Sequence, residues 1–308
     1  MLQTTDPLEH AILETLAYSD IFDYPLTLDE LHKFLTVSAE KREIAESVSR
    51  MDGVSVKDGY FFLTDHPEIV EVRRQREAGS RDAFARAMFY GRIIGKLPFV
   101  RMVALTGSLA MLNLSKNRDM DYMLVTKSGR VWTARAFVLL FGRLVRLFGD
   151  VICPNVIVSE TALEWGTRNL YTAREFAQMI SISGVEVYRR LRVVNSWVFD
   201  ILPNTAANPA PSETRQGGAG KLLQSIFEYF LVNRFGDFFE SWEMNRKIRR
   251  FKKQSGFGIE TKFNAEVCQG NFDHHGTATL DRLYQRMQRF GDMSKVKPVS
   301  ESVRGSGK

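Results

Sequence analysis

The chain has 308 residues, 44% of them hydrophobic and 25% charged, with a formal net charge of +6 at pH 7. That length gives room for two or three domains with a sizeable core, and the composition is that of an ordinary soluble globular chain. The mild basic excess is compatible with a polyanionic partner without demanding one. Cys153 and Cys268 lie far apart and form no CxxC pair, which argues against a zinc site or a disulfide framework and fits a reducing cytoplasm. The N-terminal residues lack the basic-then-apolar pattern of a signal peptide, and no apolar run reaches transmembrane length, so a cytoplasmic location is expected.

In chain order, Leu8, Ile12, Leu16 and Ala17 form one stripe of an expected helix over 8–22, which Asp23-Tyr24-Pro25 breaks. Thr27 with Glu30 three residues later reads as a capping box, opening a second helix through Leu28, Leu31, Phe34 and Leu35. A third helix is expected over 39–51. Val54–Lys57 and Tyr60–Leu63, joined by Asp58-Gly59, read as a β-hairpin. Three short helices and a hairpin resemble a winged helix-turn-helix, here spanning 1–66. The resemblance implies that the third helix is the recognition helix, with Lys41, Arg42, Ser47, Ser49 and Arg50 as candidate nucleic-acid contacts. Glu40, Glu43 and Glu46 on the same helix would repel phosphate, and protein docking is the competing role.

Residues 67–97 read as a helical connector whose arginines form a solvated face, with Gly79-Ser80 as a candidate break and Pro98 as its end. The stretch 98–160 carries the chemistry. Met102–Leu105 is an apolar strand, followed by the turn Gly107-Ser108, a helix start at Leu109 and a polar loop. A second strand then carries Asp119 and Asp121 into the apolar run Tyr122–Val125. Strand side chains alternate faces, so Asp119 and Asp121 point the same way. Two adjacent carboxylates repel unless a cation sits between them, and a hard divalent ion takes such oxygens together with substrate phosphates. Gly107 lets the backbone approach a phosphate, and Ser108 adds a hydroxyl. Lys116 and Arg118, in the loop before the acids, are candidate triphosphate contacts.

A helix over 131–148 is expected to pack on the sheet, although Arg135, Arg143 and Arg146 beside its apolar face also suit a membrane surface. Val151–Val158 is the third core strand. Residues 161–203 read as a helical extension, with Arg168, Tyr171 and Arg174 near its start, and 204–218 as a flexible polar linker. A C-terminal helical region follows over 219–290, rich in aromatics and ending its first helix in the basic run 246–253. Asp273-His274-His275 reads as a turn before the last helix rather than a metal site, and 291–308 as a disordered tail.

The apolar strand, Gly107-Ser108, the spacer and Asp119-x-Asp121 within an apolar strand resemble the nucleotidyltransferase superfamily of DNA polymerase β. The resemblance covers 98–160 only. It implies an α/β (α+β) fold, with a small mixed sheet as the nucleotidyltransferase core, a winged-helix-like module before it and a helical region after it. It also implies Mg²⁺ (or Mn²⁺) on Asp119 and Asp121, an NTP held through Gly107 and Ser108, and NMP transfer to an acceptor hydroxyl with pyrophosphate leaving. Members commonly carry a third carboxylate on the next core strand. Here the matching position is Asn155, a possible metal ligand through its carbonyl oxygen but not a base; Asp150 is the less favoured candidate. Glu160, Glu164 and Glu175 are candidate helpers. The alternative is a degenerate core that senses nucleotide while the N-terminal module docks on DNA or a protein.

Overall fold

The computed structural model describes residues 6–64, 66–114, 119–205, 218–258 and 260–289. Asp6 caps α1 (Pro7–Asp20), its carboxylate accepting from the Leu8 amide at 2.8 Å. Thr27 and Glu30 form the expected capping box at the start of α2 (Leu28–Phe34), and α3 (Lys41–Val48) follows. The strands β1 (Leu26–Thr27), β2 (Val54–Lys57) and β3 (Tyr60–Leu63) form an antiparallel sheet in the order β1-β3-β2. Asp58 and Gly59 both take positive φ, 53° and 80°, as a two-residue hairpin turn requires. Leu13, Leu16, Leu31, Phe34 and Ile44 bury against one another, and Leu283 and Met287 from the far end of the chain enter the same core.

Next comes α4 (Ile69–Ile94), a single helix of 26 residues that Gly79-Ser80 does not interrupt. Ser80 is buried there and its hydroxyl donates to the Arg76 carbonyl at 2.6 Å. The chain continues through β4 (Val100–Leu105), the helical turn α5 (Gly107–Ala110), β5 (Asp119–Thr126), α6 (Val131–Arg146) and β6 (Val151–Ser159). Beyond them lie α7 (Leu170–Gln178), β7 (Ile180–Ser183), α8 (Val185–Val194), α9 (Trp197–Ile201), α10 (Gly218–Leu231) and α11 (Arg234–Phe251). The last elements are β8 (Thr261–Phe263), β9 (Val267–Gly270) and α12 (His275–Arg289).

Among the described residues the fold is thus mixed α/β, with a small antiparallel sheet and a mixed sheet in the order β7-β4-β5-β6-β9-β8. Among the described strands of this sheet only β5 and β6 pair in parallel, with α6 as their crossover. Period-two alternation divides the strands between two cores. Val103, Leu105, Tyr122 and Leu124 join Ala87, Trp132 and Val138 on the α4–α6 face. Met102, Ala104, Met123 and Val125 join Ala173, Leu191 and Trp197 on the α7–α9 face.

Three strands lie where the sequence reads as helix. β7 falls within 161–203, and β8 and β9 fall within 219–290. Each has three or four residues, too few for its alternation to stand out, and each is a strand because a longer partner supplies its hydrogen bonds. The expected helix over 219–254 breaks at Val232-Asn233. The Asn233 side chain accepts from the Phe235 and Gly236 amides, each at 3.0 Å, and starts α11 afresh. No described helix is long and apolar enough to cross a membrane.

Candidate functional site

β4 ends beside the middle of β5, where the Thr106 amide donates to the Asp121 carbonyl at 2.9 Å. The chain then turns through Gly107, whose φ is +66°. A Cβ at that position would lie 2.5 Å from Asp121 Oδ2, so the glycine is required both for its backbone conformation and for the space the carboxylate occupies. Ser108 follows in α5, exposed, its carbonyl accepting from the Met111 and Asn113 amides. Asp119 stands exposed at the first position of β5, and Asp121 sits half-buried two residues on, facing the same side.

The parallel ladder pairs Asp121 with Cys153 and Tyr122 with Pro154, then slips, so that Met123 meets Val156. Asn155 is the residue left over at that bulge. A bulged residue is freed from the ladder and can be re-aimed, and Asn155 turns to Asp121. The Cys153 thiol donates to Asn155 Oδ1 at 3.1 Å, and both side chains lie close enough to the Asp121 carboxyl to favour its charged form.

Burial, reinforced by the neighbouring Asp119 charge, pushes the Asp121 carboxyl from its ordinary 3.8 up to about 7, against the opposing effect of Cys153 and Asn155. Burial and the two aspartates push the Cys153 thiol up to about 12. Glu175 on α7 belongs to the same electrostatic neighbourhood, pushed up to about 7 by burial and then by Asp121, with Gln178 donating to it. Tyr171, one turn earlier, is kept protonated by burial and by nearby carboxylates that include Glu175, Glu260 and Asp121. Among the described residues the charges that act on the cluster are mostly carboxylates, with Arg135 the cation that acts on Cys153. Asp119, Asp121 and the Asn155 carbonyl could hold a hard cation there. Among the described residues no set of three His, Cys, Asp or Glu side chains is arranged as a metal cage, so an ion would need substrate or solvent oxygens as well.

Gly107, Ser108, Asp119, Asp121 and Asn155 therefore meet at one end of the mixed sheet. Lys116 and Arg118 lie outside the described residues. Asp150 is directed elsewhere: Arg86 grips it at 2.8 and 2.9 Å and Tyr90 donates to it at 3.0 Å, so it anchors α4 to the start of β6. Glu164 pairs with Arg168 on the surface, and the Glu160 amide is tied to Thr126 at the far end of the strands. Arg174 is buried between the rings of Tyr18 and Phe34, 4.3 and 4.4 Å away, joining α7 to the N-terminal core and not to the site. In α3 and just beyond it, Lys41 pairs with Asp29, Arg42 pairs with Glu46, Ser47 is buried and the Ser49 hydroxyl donates to the Glu46 carbonyl at 2.7 Å, which leaves Arg50 as the candidate contact least engaged among the described residues. His275 opens α12, whose first amides are capped by Glu260, so that segment is a turn and helix start.

The sequence offers little warning of Cys153, whereas Tyr171 can be named from it only as one of three polar residues, with Arg168 and Arg174, at the start of the helical region after the core. Cys153 joins the site through the register of β5 against β6, and Tyr171 through the return of α7 across the sheet. Compared with models of known families, with curated proteins and with solved structures, the chain matches none.

Proposed function

We propose that this chain is a nucleotidyltransferase of the DNA polymerase β-like kind, moving an NMP from an NTP to an acceptor hydroxyl with Mg²⁺ or Mn²⁺. The observation that carries the reading is the seating of the Asp121 carboxylate against Gly107, with Asp119 beside it on the same face. A purely structural turn gains nothing from two like charges at a site where one is already raised to about 7 by burial and repulsion. A divalent cation relieves that repulsion, and the donor set of two carboxylates and an amide oxygen suits a hard ion.

In this reading Asp119 and Asp121 hold the cation, and Asn155 keeps the Asp121 carboxyl oriented. When bound, the cation neutralises triphosphate charge and makes the acceptor hydroxyl more acidic. The acceptor oxygen bonds to the α-phosphorus, the bond from that phosphorus to the bridging oxygen breaks, and pyrophosphate departs with the electron pair. Ser108 Oγ donates to a phosphate oxygen, and the Gly107 backbone allows the close approach. Asn155 cannot take the acceptor proton. Glu175, in the electrostatic neighbourhood of Asp121, is the candidate for that role.

The test is to incubate the protein with Mg²⁺ and each labelled NTP beside an Asp119→Ala/Asp121→Ala variant. Label transferred to protein or acceptor, or pyrophosphate released, and lost in the variant, supports a transferase. A second reading is favoured by Asn155, the uncharged residue at the third acid's position. It makes the core a nucleotide sensor and the N-terminal module its docking element on DNA or a protein. Metal-dependent NTP binding, without turnover across a broad acceptor set, would favour it.

A further inference from the structure

The helices α10 and α11 meet at Asn233 and lie against the rest of the fold by one side each. On α10, Gln224 donates to the Leu97 and Val100 carbonyls at 2.8 and 2.9 Å, while Glu228 accepts from the Phe99 amide at 2.7 Å and pairs with Arg101. On α11, Glu240 caps the first turn of α6, accepting from the Trp132 and Thr133 amides at 2.8 and 2.7 Å. Gly236, Glu240 and Glu243 face inward, so Phe235, Phe238 and Trp242 lie on the opposite side of the 3.6-residue repeat. The outward sides of both helices carry large apolar groups. Tyr229 is 79% exposed, Phe230 68%, Phe235 70%, Phe238 68% and Trp242 46%. Isolated exposed aromatics are ordinary; five on two consecutive helices, with the Tyr229 and Phe230 ring centres 5.8 Å apart, have the composition of a docking surface.

Charge indicates what docks. Each acid of 218–253 is engaged within the fold: Glu228 by Arg101, Asp237 by Arg130, Glu240 by backbone amides of α6, and Glu243 by Arg246 and Lys247. Arg234, Arg249, Arg250, Lys252 and Lys253 are exposed and form no ion pair among the described residues. Arg249 follows Trp242 on the outward side of α11, and the Arg246 guanidinium lies 5.1 Å from the Trp242 ring centre. The surface thus offers aromatics and cations with no unengaged acid. A second copy meeting it across a two-fold axis would bring like charges together. Neither helix is long or apolar enough to cross a bilayer. Phe, Tyr and Trp beside Lys and Arg is the pattern of a helix lying in the headgroup region of an anionic membrane.

We infer that the α10–α11 face is a reversible docking surface for an anionic lipid bilayer. α10 lies by the start of β4, whereas Gly107 follows the end of that strand, roughly 20 Å away at 3.3 Å per residue, and the end of α11 packs toward Arg135 of α6.

The full chain should float with vesicles of phosphatidylcholine containing about 30% phosphatidylserine, and bind pure phosphatidylcholine about tenfold more weakly. Raising salt from about 0.1 to about 1 M should release it. A Phe230→Ser/Phe235→Ser/Phe238→Ser/Trp242→Ser variant, and an Arg249→Glu/Arg250→Glu/Lys252→Glu/Lys253→Glu variant, should each lose about tenfold or more. Should a variant melt early, the wild-type protein still decides the matter through a blue shift of its tryptophan emission on anionic vesicles. No flotation and no shift at low salt would overturn the inference. So would undiminished binding by the folded aromatic variant, or a dimer broken by that variant in a protein that ignores vesicles.

Discussion

Gly107 and Asp121 constrain each other. Any side chain at 107 must adopt a positive φ and contend with a carboxylate oxygen 2.5 Å from its Cβ. Gly107→Ala should therefore displace Asp121, cost about 1–3 kcal/mol in a thermal melt, and remove metal-dependent NTP binding. Asp121→Asn should act in opposite directions on stability and function. The Asp121 carboxyl is raised in the fold, so its contribution to stability is complete below its ordinary 3.8 and is lost as pH rises through about 7. At pH 8 without metal, the variant should melt higher than wild type, by about 1–2 kcal/mol, because it removes a half-buried charge and its repulsion from Asp119. It should at the same time abolish Mg²⁺-dependent NTP binding. Gly107-Ser108 and Asp119-x-Asp121 are legible in sequence because their spacing is local. Asn155 is legible as a position but not as a bulge, which comes from the slip of β6 against β5. Glu175 can be named only among several acids, since its place beside Asp121 depends on how α7 crosses the sheet.

At the scale of elements, Arg73 shows how α4 holds the N-terminal helices. Its guanidinium pairs with both Glu30 oxygens, donates to the Pro25 carbonyl, and lies over the rings of Tyr24 and Tyr60 at 4.2 and 4.7 Å. Burial alone would raise the Glu30 carboxyl, but the hydrogen bonds and charge of Arg73 outweigh it and hold the group below its ordinary 4.5. The sign is opposite to that of Asp121: this stability is present above 4.5 and is lost as pH falls through the lowered value. Arg73→Ala leaves a mostly buried carboxylate without its cation, held by Tyr24 and Thr27 alone, and should cost about 3 kcal/mol at pH 7 by denaturant titration, with a smaller loss in acid. The capping box and the Asp-Gly hairpin could be read directly because each is a few residues long. The arginines of α4 read as a solvated face, yet Arg73 is buried, since periodicity reports which residues share a side and not what another element brings against it.

The whole molecule is closed by its last described helix. Leu283 and Met287 of α12 fill the core formed by α1–α3, and Arg286 pairs with Asp20 at 2.7 Å, so the N-terminal elements depend on residues more than 250 positions away. Leu283→Ala should cost about 2–4 kcal/mol and raise amide exchange in α1 more than in β5. No local pattern announces that contact, nor the addition of β8 and β9 beside β6. Both arise when the chain returns from α11, and they separate the legible local elements from the architecture that joins them.

The central claim concerns NTP and metal at one end of the mixed sheet, and equilibrium binding tests it without knowledge of the acceptor. Labelled NTP should bind the wild-type chain only with Mg²⁺ or Mn²⁺, and the Asp119→Ala/Asp121→Ala variant should lose that binding while keeping its fold. NTP binding that needs no metal and survives in the variant, or no binding of any NTP by the wild-type chain, would contradict it.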